Sequence, residues 1–202
     1  MANRIIVEGR DDRHVVRNLL YHHQLHEMFD FKDKDGIEKL LDTLEEEIQA
    51  TDVERLGIII DADLDLSRQW ARMTGILIRC GYDAVPSAPD PAGTIVAGEN
   101  GQRIGIWIMP NNVLKGAVED FVGHLIADGD GLWPRAQESV NGIPEVERRF
   151  KPTYVSKAQI HTWLAWQEEP GTRMGEAFTK RYLDPTRPQA QAFIGWIRKL
   201  LA

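Results

Sequence analysis

The chain alternates short apolar runs with amphipathic stretches, and the period changes from one to the other. Ile5-Ile6-Val7 is a β-branched run that stops at Glu8-Gly9, the signature of a buried strand ending in a turn. Val15, Val16, Leu19 and Leu20 then fall on one helical face. Residues 28–31 form a weaker strand candidate closed by Asp35-Gly36. Ile37, Leu40, Leu41, Leu44 and Ile48 repeat with the helical period, leaving Glu45-Glu46-Glu47 mainly toward solvent. Residues 56–60 give a second strong strand, ended by Asp61-Ala62-Asp63. Leu66, Trp70, Met73 and Leu77 mark the next helix, which stops at Gly81. This β-α-β-α-β-α order, with helix-length connections, predicts a mainly parallel sheet covered by helices on both faces.

The Pro- and Gly-rich stretch 86–101 ends that regularity. Residues 94–97 and 104–109 flank Gly98-Glu99-Asn100-Gly101 and predict a hairpin. A loop at Pro110-Asn111-Asn112 precedes a helix carrying Val118, Phe121, Val122, Leu125 and Ile126. Beyond a loop at 128–131 the pattern is helical, with Ile160, Trp163 and Leu164 on one stripe and Phe193, Trp196, Ile197, Leu200 and Leu201 on another. The expected organisation is an α/β domain over 1–128 with a helical extension over 129–202 packed on it.

A length of 202 residues, 43% of them hydrophobic, supports a substantial core and argues against disorder. No apolar run approaches a membrane span, and the N-terminus lacks the apolar stretch of a signal peptide. One cysteine, Cys80, can build neither an internal disulfide nor a thiolate metal site. A cytoplasmic protein is expected. The net charge is −7, which weakens any general affinity for nucleic acid, but it is uneven: residues 1–128 sum to −10 and residues 129–202 to +3. Such a split suits an acidic half that gathers metal beside a basic half that meets phosphates. It equally suits a solvated surface with chance asymmetry.

In open parallel sheets, sites form at the carboxyl ends of strands. Here two predicted strand ends deliver acids, Glu8 and the Asp61/Asp63 pair; in an extended chain Asp61 and Asp63 share a side. Asp12 follows Glu8 by four residues at the start of a helix, where an acid also complements the helix dipole. Two unit charges 4 Å apart repel by about 4 kcal/mol at an effective dielectric near 20. A divalent ion removes that penalty, and an all-oxygen donor set selects a hard cation, Mg²⁺ or Mn²⁺. An EF-hand is excluded, because Leu66 and Arg72 stand where that loop needs Gly and Glu. Helix caps and turn formers remain the plain alternative for these acids.

Val7-Glu8-Gly9 and Ile60-Asp61-Ala62-Asp63 resemble the Toprim domain, shared by topoisomerases, bacterial primases and the OLD (overcoming lysogenization defect) nucleases. The Glu8-Gly9-Arg10-Asp11-Asp12 form is similar to the OLD-type branch. Trp107-Ile108-Met109-Pro110-Asn111-Asn112, Gly116-Ala117-Val118-Glu119-Asp120-Phe121, Lys157-Ala158, Pro170-Gly171 and Gly175-Glu176-Ala177 extend the resemblance, over nearly the whole chain, to a small prokaryotic Toprim-related family of single-domain proteins. The resemblance implies a Toprim-like sheet and metal ligation by Glu8, Asp12, Asp61 and Asp63. It further implies an added acid at Glu119 and a lysine, Lys157, beside the scissile phosphate, with Asp11 and Asp65 as second-rank candidates. Its Glu is a catalytic acid or base, here Glu8.

The expected function is therefore a Mg²⁺- or Mn²⁺-dependent nuclease acting on DNA or RNA. No Gly-x-x-x-x-Gly-Lys-Ser/Thr loop is present, so nucleotide-driven control would come from a separate ATPase or operon partner. A topoisomerase's Tyr-bearing strand-passage domain is missing too. Two rival readings stand beside the nuclease: a metal-binding regulatory or interaction module of a defence or mobile-element system, and an enzyme acting on a small phosphate ester. A monomer and a homodimer are both compatible with the sequence. His22, His23 and His26 sit near a helix end and read as cationic caps rather than a zinc site. Cys80 reads as a buried small side chain. Trp163 and Trp196 read as core, and Arg148, Arg149 and Lys151 as a solvated basic run, with contact to phosphates as the alternative.

Overall fold

The computed structural model describes residues 2–98 and 101–202. Five strands form one sheet: β1 (Ala2–Val7), β2 (Asp30–Asp33), β3 (Val53–Asp61), β4 (Thr94–Ala97) and β5 (Arg103–Met109). Their spatial order is β2-β1-β3-β5-β4. The first four in that order run parallel, and β4 pairs antiparallel with β5. The helices are α1 (Arg10–His22), α2 (Ile37–Gln49), α3 (Leu66–Arg79), α4 (Val118–Gly123), α5 (Leu132–Asn141), α6 (Val155–Ala165), α7 (Glu176–Thr179) and α8 (Pro188–Leu201).

The expected mainly parallel α/β fold with a C-terminal helix is present. Alternation along the central strands gives each face its own core. Ile5, Val7, Ile59, Trp107 and Met109 point to one face, against α1, α4, α6 and α8. Ile6, Ile58, Ile60, Ile106 and Ile108 point to the other, against α2 and α3. Residues beyond 129 share the first of these cores, with Trp163, Phe178, Phe193, Trp196 and Ile197 fully buried. Trp196 and Leu200 lie close over the sheet because Gly57 and Gly105 are register partners with no side chains. A Cβ on Gly105 would stand 3.0 Å from Trp196, and one on Gly57 3.1 Å from Ile5. Deleting the indole by Trp196→Ala would cost about 3–5 kcal/mol.

Three local expectations change. The weak strand lies at Asp30–Asp33 instead of 28–31, with a turn of 3-10 helix over His26–Met28 before it. It is an edge strand with no fully buried residue, so apolar patterning could not fix its register. The helix expected through Ile126 ends as α-helix at Gly123. Leu125 and Ile126 remain buried through tighter turns, their N–H groups donating to Val122 and Gly123 carbonyls. Cys80 is partly exposed at the end of α3. The hairpin strands β4 and β5 pair as expected; Glu99 and Asn100 of its turn lie outside the described residues.

Candidate metal centre

Parallel pairing decides what meets at the rim. Val7 is in register with Ile59, and Asp61 with Met109, so the chain after β1, β3 and β5 emerges at one edge. Glu8 leaves β1 there, and its Oε1 accepts a hydrogen bond from the Asp61 backbone N–H at 2.8 Å. Asp61 closes β3, and its Oδ1 accepts from the Val118 N–H, at the start of α4, at 3.0 Å. Asp12, in the first turn of α1, is only 6% exposed, and its Oδ1 has no hydrogen-bond partner. Glu119 is buried in the first turn of α4. Four acids from three distant stretches of chain are thus packed close enough to act on one another electrostatically.

Asp63 behaves differently from the expectation. It does not extend β3: the backbone turns into the left-handed region there, with φ 51°, although Asp61 and Asp63 both line one open cleft. Its N–H and C=O pair with Gly116 at 2.8 and 2.9 Å, which fastens the Asp61–Asp63 turn to the loop after β5. Asp63 is exposed at the mouth, while its charge still acts on Glu8 and Asp61. Gly116, at φ 139°, has no room for a Cβ, which would lie 2.6 Å from an Asp120 oxygen. Asp120 in turn accepts from the Ala117 N–H at 2.8 Å and from the Ser156 hydroxyl at 2.6 Å. Asp120 and Ser156 thereby tie the loop to α6, a locking role the sequence reading did not assign. Gly116 alone carried a legible signal, as a glycine in a loop just before a helix.

The electrostatics are those of acids short of counter-ions. Burial pushes the Glu8 carboxyl up to about 8, with Asp12 and Asp63 adding repulsion and the Asp61 N–H and Arg72 opposing. Burial pushes Asp12 up to about 7, with the charges of Glu119 and Asp11 adding to the shift. Asp61 is raised well above the usual carboxylate range by burial, then by Asp12, Glu8, Glu119 and Asp63. Lys157, at the start of α6, is the cation at hand: its Nζ is 3.2 Å from Glu119 Oε1 and 3.9 Å from Asp11 Oδ2. Burial pulls the Lys157 ammonium down, but Glu119 and the neighbouring aspartates hold it above its ordinary value. Arg72 reaches toward the group too, though its guanidinium is bonded to Glu38 at 2.5 Å.

An open cleft of about 610 Å³ reaches part of this cluster; Glu8 and Asp12 lie behind it and do not line it. Asp61, Asp63, Glu119 and Asp120 form its acidic part, and Lys157 stands at its side. Among the described residues, no three His, Cys, Asp or Glu side chains are already disposed as a metal cage. The donor chemistry nevertheless fits a hard divalent ion: every candidate ligand atom is a carboxylate oxygen, and Asp12 Oδ1 is buried without a partner. Asp11 is exposed beside Lys157, and Asp65 is an N-cap that accepts from the Arg68 N–H at 2.9 Å. His22 and His23 contact the backbone carbonyls of Phe178 and Pro185 through Nε2, away from this cluster. Within the basic run, Arg148 contacts the Ile143 carbonyl at 3.3 Å.

Over residues 2–202 the chain matches the family described as a protein of unknown function (DUF3226), and it belongs to that family. Comparison with curated proteins and with solved structures found no match in either.

Proposed function

We propose, from the cluster of acids at the sheet's rim and the sequence motifs that carry them, that this protein is a Mg²⁺- or Mn²⁺-dependent phosphodiesterase of Toprim type acting on nucleic acid. The observation that carries the reading is the convergence of Glu8, Asp12, Asp61 and Glu119, buried or partly buried and mutually repelling, with one cation in direct contact. A buried charge without a partner costs several kcal/mol, a penalty that an ion of opposite charge offsets. The sequence motifs around Glu8 and Asp61-Ala62-Asp63 support the same reading.

In this reading Glu8, Asp12, Asp61 and Asp63 hold the ion, and Glu119 supplies a further acid. The ion contributes Lewis-acid stabilisation of charge on the phosphate oxygens. In the metal-free protein Glu8, raised to about 8, holds a proton near neutral pH; it would give that proton up on holding the ion, and the ionised carboxylate could then take a proton from the attacking water. Lys157 moves from Glu119 to the phosphate and neutralises the charge that develops there. Asp61 is oriented by the Val118 N–H, so its second oxygen has a fixed direction.

The test is incubation of purified protein with single-stranded DNA, duplex DNA and RNA under Mg²⁺, Mn²⁺ or chelator. Metal-dependent cleavage that disappears in Asp61→Ala is the expected result; metal-independent cleavage, or cutting by the variant, contradicts it. A metal-binding regulatory or interaction module without turnover is the second reading. It is favoured by the Lys157–Glu119 ion pair and by acids not yet arranged as a cage. Metal binding with no cleavage of any of the three substrates would select it. Partners in either reading include a separate ATPase or operon protein.

A further inference from the structure

The walls of the cleft differ from its floor. Leu64 and Tyr154 line it, 67% and 51% exposed, and Val113 and Leu114, also exposed, immediately precede the lining residue Lys115. Nine large hydrophobic side chains are exposed among the described residues, and two of them, Leu64 and Tyr154, line this one cleft. Arg68 and Lys115 line the same opening and are exposed. Among the described residues, neither the Arg68 guanidinium nor the Lys115 ammonium has an ion-pair partner. Lys39, Arg79, Lys180 and Arg187 are each held by an acid, whereas other surface cations such as Arg17 and Arg135 are, like Arg68 and Lys115, without an ion-pair partner among the described residues. The exposed Arg149 and Lys151 lead along the chain to Pro152, Thr153 and Tyr154 on the cleft wall.

Free cations lining one cleft with apolar and aromatic side chains suit a polymer that presents both its backbone and its base faces. A duplex hides its base faces in the stack and would meet this rim with phosphates alone. An unpaired strand offers both, and stacking on an aromatic ring tolerates any base.

We propose that the cleft takes an unpaired nucleic-acid strand. Its bases lie against Tyr154 and Leu64, and its phosphates run along Arg68, Lys115 and Lys157 toward the acidic floor. This rests on the reading of the site as a nucleic-acid phosphodiesterase for its chemistry, but binding is measurable without turnover. The rim then acts as a filter: strand ends, bulges and loops enter, and continuous helix is turned away.

Fluorescence anisotropy tests this with labelled DNA and RNA oligomers of about 12 nucleotides, each single-stranded and as the matching duplex, in Ca²⁺ and in chelator. Tighter binding of the single strand is expected in Ca²⁺, with affinity falling about tenfold in Tyr154→Ala and largely restored in Tyr154→Phe. Arg68→Ala and Lys115→Ala should each flatten the salt dependence. Comparison of the DNA and RNA arms identifies which polymer the site prefers. Equal or tighter binding of duplex, no binding of either form, or a Tyr154→Ala protein indistinguishable from the parent would each overturn the proposal. Cleavage in Mg²⁺ or Mn²⁺, read separately on the same oligomers, judges the enzyme reading; single-strand binding without cleavage sinks that reading alone.

Discussion

Two parts of this protein bury carboxylates, and they do so in opposite ways. Glu47, on α2, is 7% exposed and surrounded by protein cations. Arg4 Nη1 lies 2.9 Å from it, Lys32 Nζ 3.1 Å and Lys34 Nζ 2.6 Å. Burial would raise its carboxyl, but hydrogen bonds from Lys34 and Lys32 outweigh burial and hold it below the ordinary value. At the carboxyl ends of β1 and β3, burial wins instead: Glu8, Asp12 and Asp61 are all raised, and the ammonium of Lys157 contacts Glu119 and Asp11. The same fold therefore neutralises one buried acid from its own chain and leaves the other group short of positive charge. A deficit of that kind, at the rim where a parallel sheet places its sites, is what a divalent ion would fill.

The contrast breaks most decisively at Asp61. Asp61→Asn keeps an oxygen for the Val118 N–H but removes the charge, and metal-dependent cleavage should fall at least about a hundredfold. Rate assays on the best oligonucleotide check this, and a loss under tenfold would put the ion elsewhere. Glu47→Ala should act on stability instead. Arg4 keeps Asp52 at 3.2 Å and Asp30 at 3.5 Å but loses its buried partner, which costs about 1.5–3 kcal/mol, seen as a lower denaturant midpoint, while the effect of added Mn²⁺ is kept. If Glu47→Ala were as stable as the parent, the two sites would not differ as described.

The pH response sharpens the comparison further. In metal-free protein, Glu8 and Asp12 stay protonated in the fold up to about 8 and about 7, whereas in the unfolded chain they ionise in the usual carboxylate range. Between those limits the native state holds more protons, so this site's contribution to stability falls as pH rises. Glu47 has the opposite sign: its contribution is present above the ordinary carboxylate range and is lost as pH falls through its lowered value. Metal-free melting temperatures from about pH 5 to about pH 8 should therefore decline, and saturating Mg²⁺ should oppose the decline. A melting temperature that rises steadily over that range without metal would contradict the assignment. The smallest effect belongs to Lys157→Ala, which should slow cleavage by about tenfold to a hundredfold and leave Mn²⁺ affinity within a few-fold.

Much of this was legible along the chain because burial dictates it. Strands covered on both faces must be continuously apolar, so Ile5-Ile6-Val7 and Ile58-Ile59-Ile60 announce β1 and β3, and the acids that end them fall at the same sheet edge by parallel register. The edge strand Asp30–Asp33 carries no such pattern, and its position was displaced accordingly. The left-handed turn at Asp63 was illegible for another reason: Asp is tolerated there, and only the pairing with Gly116, more than fifty residues away, fixes it. The three-cation enclosure of Glu47 was hidden in the same way. Within Glu45-Glu46-Glu47 the sequence distinguishes no residue, and Arg4, Lys32 and Lys34 reach it only through tertiary packing.

Isothermal titration calorimetry of Mn²⁺ into the metal-free protein and into Asp61→Asn tests the central claim most directly. The account predicts saturable binding by the parent, accompanied by proton release as Glu8 and Asp12 give up their protons, and loss of that binding in the variant. Absence of saturable binding, or equal affinity in both proteins, would contradict it.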